Sequence, residues 1–182
     1  LLHMAVIGGD PECVKTIIKF CSIGTNDNSY INRKDNLGFT ALHFAALTNN
    51  PSNNEINNSS QEEPQHEADI SQNEQLIHEK KEIATILLDN GADLFAENCM
   101  CETPIITALL RNQPLFEFYC NYLKVNNRLK ELKAFVEEVK PEYAGSDEKP
   151  RSLLDALAYD YPSYAVIKKL KDDLETINSS KK

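Results

Sequence analysis

The residue types that could support chemistry in this chain are five cysteines and four histidines, and their spacing limits what that chemistry could be. Cys99 and Cys101 form the closest pair, with one residue between them. A structural zinc site usually places two to four residues between paired cysteines and adds a second pair downstream. Three interpretations stay open: metal ligands completed by His66 or His78, an exposed thiol sensitive to oxidation, or cysteines without a ligand role.

No catalytic constellation emerges from the remaining chemistry-bearing residues. A cysteine nucleophile would need a histidine close in space and a third group that orients it, and no spacing here signals such a set. The six glycines are scattered singly or in a pair at turns, so there is no phosphate-binding loop. We therefore predict a chain that is not an enzyme and that binds neither a cofactor nor a metal.

The charge balance bears on possible partners. The formal net charge is −9, which disfavours binding to a nucleic-acid backbone. Basic clusters are short and are expected to be solvated faces, namely Arg33–Lys34, Lys80–Lys81 and Lys168–Lys169. We expect no nucleic-acid partner.

Cysteine usage and hydropathy bear on the compartment. An odd number of cysteines without a disulfide-framework spacing favours an intracellular protein of the cytoplasm or nucleus. Cys13, Cys21 and Cys120 lie in apolar helical patterns, which predicts that they are buried. No apolar run approaches the roughly 20 residues of a membrane span, so we expect no membrane insertion. The first residues do not resemble a signal peptide.

One stretch, residues 35–46, organises the rest of the chain. Asn36–Gly38 has the residue types of a tight turn. Thr40 is placed to cap a following helix, because its hydroxyl can accept from an unpaired backbone N–H of the first turn. The residues after it predict a helix with a narrow apolar face, which consists of Leu42, Ala45 and Ala46.

This run closely resembles the start of an ankyrin repeat, whose pattern is approximately D-x-x-G-x-T-P-L-H-x-A-A. Ala41 stands in place of the proline, and His43 occupies the histidine position. The resemblance implies that His43 bridges polar groups of neighbouring repeats. Residues 1–6 resemble the later part of the same motif, so we expect this chain to be a piece of a longer protein.

Residues 98–109 resemble a further repeat start, with two departures from the pattern. Thr103 followed by Pro104 predicts a capped helix start. Cys101 occupies the glycine position, which predicts an altered or strained turn. Ile106 replaces the histidine, so the polar bridge should be lost there. Gly91, which ends the preceding helical pattern, is predicted to be a left-handed C-cap.

Internal spacing predicts the domain organisation. Ala5, Ala45, Ala108 and Ala156 are further apart than the ankyrin period of about 33 residues, so each interval should contain inserted residues. We expect repeat units at about 1–29, 30–93 and 94–124. An Asn-, Ser-, Gln- and Glu-rich insertion at 50–78 should be a poorly ordered loop up to about residue 73. Residues 125–182 should form an extra helix, containing Leu129, Leu132, Val136 and Val139, and a degenerate capping repeat.

The resemblance therefore implies an all-α, ankyrin-repeat solenoid of helix pairs joined by short β-hairpin turns. We expect about four units, of which the outermost two are degenerate or truncated. Such arrays bind partner proteins through hairpin tips and the concave face of the first, inner helix of each pair. The candidate contacts are Arg33, Asn36, Leu37 and Phe39 in one tip, Glu97, Met100 and Glu102 in the next, and Phe44, Thr48, Thr107 and Arg111 on inner helices.

Two functional interpretations follow from the resemblance. In the first, the chain is a non-catalytic protein-interaction module, monomeric in isolation. In the second, it is the targeting or regulatory portion of a larger enzyme whose catalytic domain lies elsewhere. The Asn, Lys and Ile bias and the low-complexity insertion also resemble ankyrin proteins that intracellular bacteria deliver into host cells, which would make the chain a host-directed effector.

Overall fold

The computed structural model describes residues 1–23, 29–47, 66–137, 139–140 and 151–152. The chain forms two compact units, Leu1–Tyr119 and Cys120–Lys182. The described elements are α1 (Leu2–Gly8), α2 (Pro11–Ser22), a 3₁₀ turn (Ser29–Asn32), α3 (Ala41–Ala46), α4 (His66–Asp89), α5 (Pro104–Arg111), α6 (Gln113–Val125), α7 (Leu129–Glu137), β1 (Val139–Lys140) and β2 (Arg151–Ser152).

Local sequence explains where the helices begin. The Asp10 carboxylate accepts the N–H of Glu12 at 2.9 Å, and Pro11 occupies the first turn of α2, where its missing N–H costs nothing. Thr103 caps α5 in the same way by accepting from the N–H of Ile106, and Pro104 follows it. The predicted start of α5 is confirmed.

Glycines in left-handed conformation end two of the helices. Gly9 follows α1 with a φ of 78°. Gly91 follows α4 with a φ of 88°, as predicted. After α4 the N–H of Ala92 donates to the carbonyl of Leu87 at 2.9 Å, and this bond satisfies a carbonyl that the helix itself leaves unpaired.

Stacking of helices forms the core of the first unit. The inner helices α1, α3 and α5 pack in series, and the outer helix α4 packs on both α2 and α3. Alanines on the inner helices are almost fully buried, which lets the helix backbones approach closely. The largest fully buried side chains of this unit are Ile31, Leu42, Ile83, Leu87, Leu94, Ile105, Leu115 and Tyr119. The all-α architecture of helix pairs is thus confirmed.

Parts of the prediction need correction. Helix α4 begins at His66, so the predicted loop does not reach residue 73; residues 48–65 lie outside the described residues. Val139 lies in β1, opposite Ser152 of β2, and not in the predicted helix. Pro141 gives the reason, since a residue that precedes proline is disfavoured in helical conformation and Lys140 is therefore extended. The predicted capping repeat falls largely on 153–182, outside the described residues.

Candidate protein-binding surface

Two hairpin turns of closely similar geometry precede the inner helices α3 and α5. In the first, one carboxylate oxygen of Asp35 accepts the N–H groups of Leu37 at 2.9 Å and Phe39 at 2.8 Å. The N–H of Asp35 donates to the carbonyl of Phe39 at 2.9 Å, which closes the hairpin. The predicted hairpins are hydrogen-bonded turns, and none of their described residues is assigned to a strand.

Asn98 takes the place of Asp35 in the second hairpin. Its side-chain oxygen accepts from the N–H groups of Met100 at 2.8 Å and Glu102 at 3.0 Å. Its own N–H donates to the carbonyl of Glu102 at 2.9 Å. Cys101 adopts a φ of 58° where the first hairpin has glycine, so the predicted strain at this position is confirmed.

The two hairpins are in direct backbone contact. The N–H of Cys99 donates to the carbonyl of Leu37 at 2.9 Å. A Cβ atom on Gly38 would lie 2.9 Å from both the Cα of Asn98 and the N of Cys99, so only glycine fits this approach. The tips are therefore held together by main chain and do not depend on long side chains.

At the tips, the structure exposes apolar side chains at matching positions. Leu37 is 59% exposed and Met100 is 55% exposed. Arg33 and Asn36 of the first tip are also exposed. Glu97 and Glu102 of the second tip are half-buried. The tips thus present part of the predicted set directly to solvent.

His43 connects the first hairpin, helix α3 and the second hairpin. Its Nδ1 accepts the N–H of Thr40 at 3.0 Å, and the Thr40 hydroxyl lies 2.9 Å from the same atom. Its Nε2 lies 3.0 Å from the carbonyl oxygen of Glu102, so Nε2 carries the proton and donates it. Burial lowers the pKa of His43, which keeps the ring neutral in this arrangement.

His3 makes the corresponding link one unit earlier, since its Nε2 lies 3.0 Å from the carbonyl oxygen of Arg33. Ile106 occupies the histidine position of the third unit. It is buried, and its side chain has no polar atom that could form such a link. The polar bridge at His43 and its replacement at Ile106 agree with the sequence prediction.

Comparison with protein families gives a match to ankyrin repeats (many copies) over residues 2–52. The matched span contains α1, α2, the first hairpin and α3 with its buried histidine. Residues 2–52 carry ankyrin repeats. In a comparison with curated proteins, no relative matches this chain. The hairpin at Asn98 lies beyond the matched span, yet its side chain and backbone make the same kind of hydrogen bonds as those of the hairpin at Asp35.

The structure places two predicted ankyrin tip residues in packing roles. The ring of Phe39 lies 5.4 Å from the ring of His43 and 5.7 Å from that of Phe44, so Phe39 supports the hairpin and is only half-exposed. Glu102 is held by its carbonyl, which accepts from His43, and by its carboxylate, which lies 3.8 Å from the guanidinium of Arg111.

The predicted inner-helix contacts separate into exposed and buried residues. Phe44 is half-buried against the ring of His3, and Arg111 is exposed. Thr107 is a correction, because it is fully buried and its hydroxyl donates to the carbonyl of Thr103 at 3.0 Å. It fills the space between helices and cannot contact a partner. Thr48 lies outside the described residues.

Several exposed residues were not identified from the sequence as candidate contacts. Lys34 is exposed beside Arg33, and its ammonium group donates to the carbonyl of Glu97 at 2.7 Å. On the first repeat, the exposed apolar residues are Leu1, Met4, Ile7, Phe20 and Ile23. Met4 precedes Ala5 as Phe44 precedes Ala45, and this register could have identified it.

The cysteines behave differently from the prediction. Cys13 is exposed, and Cys21 and Cys120 are half-buried, so none of the three is a buried core residue. Cys13 is one position before the buried Val14, and a helix turns by about 100° per residue, which directs the thiol away from the core. Cys99 and Cys101 are exposed free thiols.

In the part of the chain that the structure describes, no group of three or more His, Cys, Asp or Glu side chains could hold a metal ion. Among the described helices, none combines the length and the apolar character needed to cross a membrane.

Proposed function

We propose that this chain is a non-catalytic module that binds another protein through its two hairpin tips and the concave face of its inner helices. Ankyrin repeats are in general protein–protein interaction modules. The observation that carries the finer proposal is the exposure of Leu37 and Met100 at matching positions of adjacent tips. Methionine is enriched in protein interfaces. Burial of an exposed apolar side chain contributes more to the binding free energy when the backbone around it is already ordered, because less conformational entropy is lost.

The rigidity of the hairpins supports this proposal. The backbone N–H groups around each tip are occupied by Asp35, by Asn98 and by the bond from Cys99 to Leu37. Since these bonds exist before a partner arrives, ordering the tips on binding costs little conformational entropy. The exposed side chains are therefore presented in a fixed arrangement.

The inner-helix part of the surface is narrower than the sequence suggested. Phe44 and Arg111 are available, whereas Thr107 is not. Arg111 also faces the carboxylate of Glu102, which fixes the position of its guanidinium beside the second tip. We place the main contacts at the tips and secondary contacts at Phe44 and Arg111.

The test is affinity capture from cell lysate followed by mass spectrometry, with a tip variant that leaves the core intact. Arg33→Ala with Leu37→Ala removes one exposed cation and one exposed aliphatic side chain, and we expect it to reduce partner recovery at least about tenfold. Phe39 is left in place because its ring packs against His43.

The matched control is Lys19→Ala with Ile23→Ala, which removes the same two side-chain classes from exposed positions at the end of α2. It should recover the partner like the unaltered chain. Equal recovery by the tip variant and the control would move the binding surface away from the tips.

The proposal extends to an intracellular monomer. An odd number of cysteines without a disulfide-framework spacing suits a reducing compartment. A stand-alone module, an effector delivered into a host cell and the regulatory portion of a larger enzyme would all use this surface for binding. The full-length reading frame distinguishes the enzyme-linked case, and light scattering of the purified chain tests the monomer.

A further inference from the structure

We propose that the tip surface takes an extended acidic segment of the partner, anchored by an apolar side chain between Leu37 and Met100. This inference rests on the proposed function and names the chemistry of the partner. Its three supports are the apolar pair at the tips, the two exposed cations of the first hairpin, and the lower exposure of the neighbouring carboxylates.

The apolar pair belongs to two adjacent tips. Leu37 and Met100 occupy the same register position in their hairpins, two residues after Asp35 and Asn98. The bond from the N–H of Cys99 to the carbonyl of Leu37 joins the two main chains next to these side chains. We call Leu37 and Met100 together the tip pair. It offers one small apolar contact in a polar setting, which suits a single anchoring side chain.

Two cations precede Leu37 in the first hairpin, and among the described residues neither has a carboxylate partner. Arg33 and Lys34 are both exposed. The Lys34 ammonium donates to a main-chain carbonyl, that of Glu97, which leaves its charge uncompensated. Neither cation forms an ion pair within the residues that the structure describes. In a chain of net charge −9, such cations favour a carboxylate from outside.

The nearby carboxylates are less exposed than the two cations. One oxygen of Asp35 accepts two hairpin N–H groups. The Glu102 side chain is 19% exposed and faces Arg111. Glu97 is half-buried. Arg33 and Lys34 are thus more exposed than the carboxylates of the two tips, so an approaching acidic segment meets the two cations first.

The dimensions of the surface favour a linear segment over a folded domain. Only four exposed side chains contribute to this surface, namely Leu37, Met100, Arg33 and Lys34, and so small a set contacts only a few residues of a partner. A nucleic acid is a less suitable ligand, because two cations neutralise few phosphates and the apolar tip pair makes no favourable contact with a phosphate.

The experiment selects a random peptide library displayed on phage against the whole immobilised chain. We expect the selected peptides to combine one large apolar residue with two or more Asp or Glu. Fluorescence anisotropy of one selected, labelled peptide then measures affinity for the variants. We expect Arg33→Glu to weaken binding about tenfold or more, and Leu37→Ala with Met100→Ala to do the same.

Lys19→Ala with Ile23→Ala is the control and should bind the peptide unchanged, and circular dichroism of each variant confirms that it is folded. Affinity should also fall as salt is raised, because the cations are exposed. If neutral or basic peptides bind and the tip variants weaken that binding, the inference of an acidic partner is wrong, whereas the proposed binding function of the tips stands.

Other outcomes count against more than the partner chemistry. Loss of binding in Met4→Ser with Ile7→Ser, with the tip variants unaffected, would place the site on the first repeat and overturn both proposals. Failure of the selection to yield any binder would overturn the linear segment. Tighter binding of a single-stranded DNA oligomer than of the selected peptide would overturn a protein partner at this surface.

Discussion

At the scale of single residues, His43 shows how one side chain can join three pieces of the fold. Its two ring nitrogens have different tasks, because Nδ1 accepts from Thr40 and Nε2 donates to the carbonyl of Glu102. Both tasks are possible only for the neutral ring with its proton on Nε2. The same side chain would lose its acceptor on protonation, so its contribution to stability depends on pH.

The pH dependence gives a first prediction. Burial sets the pKa of folded His43 below the unfolded value of about 6.5, so the unfolded chain binds the extra proton first as pH falls. The stability that the neutral ring provides is fully present above about pH 6.5. It decreases as pH falls below that value, until the lowered pKa is passed.

Urea unfolding at pH 8, 7, 6 and 5, for the unaltered chain and for His43→Leu, measures this effect. The variant retains the other three histidines, so the difference between the two free energies of unfolding isolates His43. We expect that difference to shrink between pH 7 and pH 5. A difference that is constant over the whole range would contradict the lowered pKa of folded His43.

At the scale of elements, the hairpins are positioned by main-chain contact between repeats. Gly38 and Cys101 occupy the same position of successive turns and both have positive φ. Glycine is required at position 38 for two reasons: its φ is positive, and the backbone of Asn98 and Cys99 leaves no room for a Cβ atom. At Cys101 a non-glycine residue tolerates the left-handed conformation at a cost of about 1–2 kcal/mol.

Gly38→Ala and Gly91→Ala separate these two requirements. Both glycines have positive φ, but a Cβ on Gly91 meets nothing within 4 Å, whereas one on Gly38 meets backbone at 2.9 Å. Gly91→Ala should therefore lower the free energy of unfolding by about 1–2 kcal/mol, which is the conformational cost alone.

Gly38→Ala should cost at least about 1 kcal/mol more than Gly91→Ala, because the hairpins must also move apart. Denaturant unfolding of the two variants side by side measures the difference. If the two substitutions are equally destabilising, the close approach of the hairpins is not as the structure has it.

At the scale of the whole molecule, stability comes from helices that bury small apolar faces against their neighbours, while the tips remain outside that core. Leu42 is 1% exposed between the stacked inner helices, and Leu37 is 59% exposed five residues earlier. The same residue type thus belongs to the core at one position and to the proposed binding surface at the other.

Leu42→Ala should destabilise the chain by about 2–5 kcal/mol, since it leaves a cavity between helices. Leu37→Ala makes the same chemical change at the tip and should alter stability by no more than about 0.5 kcal/mol. Urea unfolding of both variants checks the contrast. A large loss for Leu37→Ala would show that the tip pair is structural and unavailable for binding.

Much of the fold could be predicted because its signals are local. Turn residues at Asn36–Gly38, the N-cap positions of Thr40 and Thr103, and the left-handed stop at Gly91 act within a few residues of chain, and each lies where it was expected. The Thr40 hydroxyl, however, lies 2.9 Å from Nδ1 of His43, a side-chain partner that the cap prediction did not include. The candidate site was harder. Arg33, Leu37 and Met100 are exposed as predicted, but Thr107 is buried and Phe39 is packed on rings from α3.

The sequence by itself determined the repeat units' helices, their caps and their turns, because these depend on residues that are neighbours along the chain. Only the tertiary structure decided which tip side chains are free, which carboxylates are engaged, and that Lys34 reaches the carbonyl of Glu97. Those outcomes depend on contacts between residues far apart in sequence. No local spacing encodes such contacts, because they arise only when one repeat packs on the next.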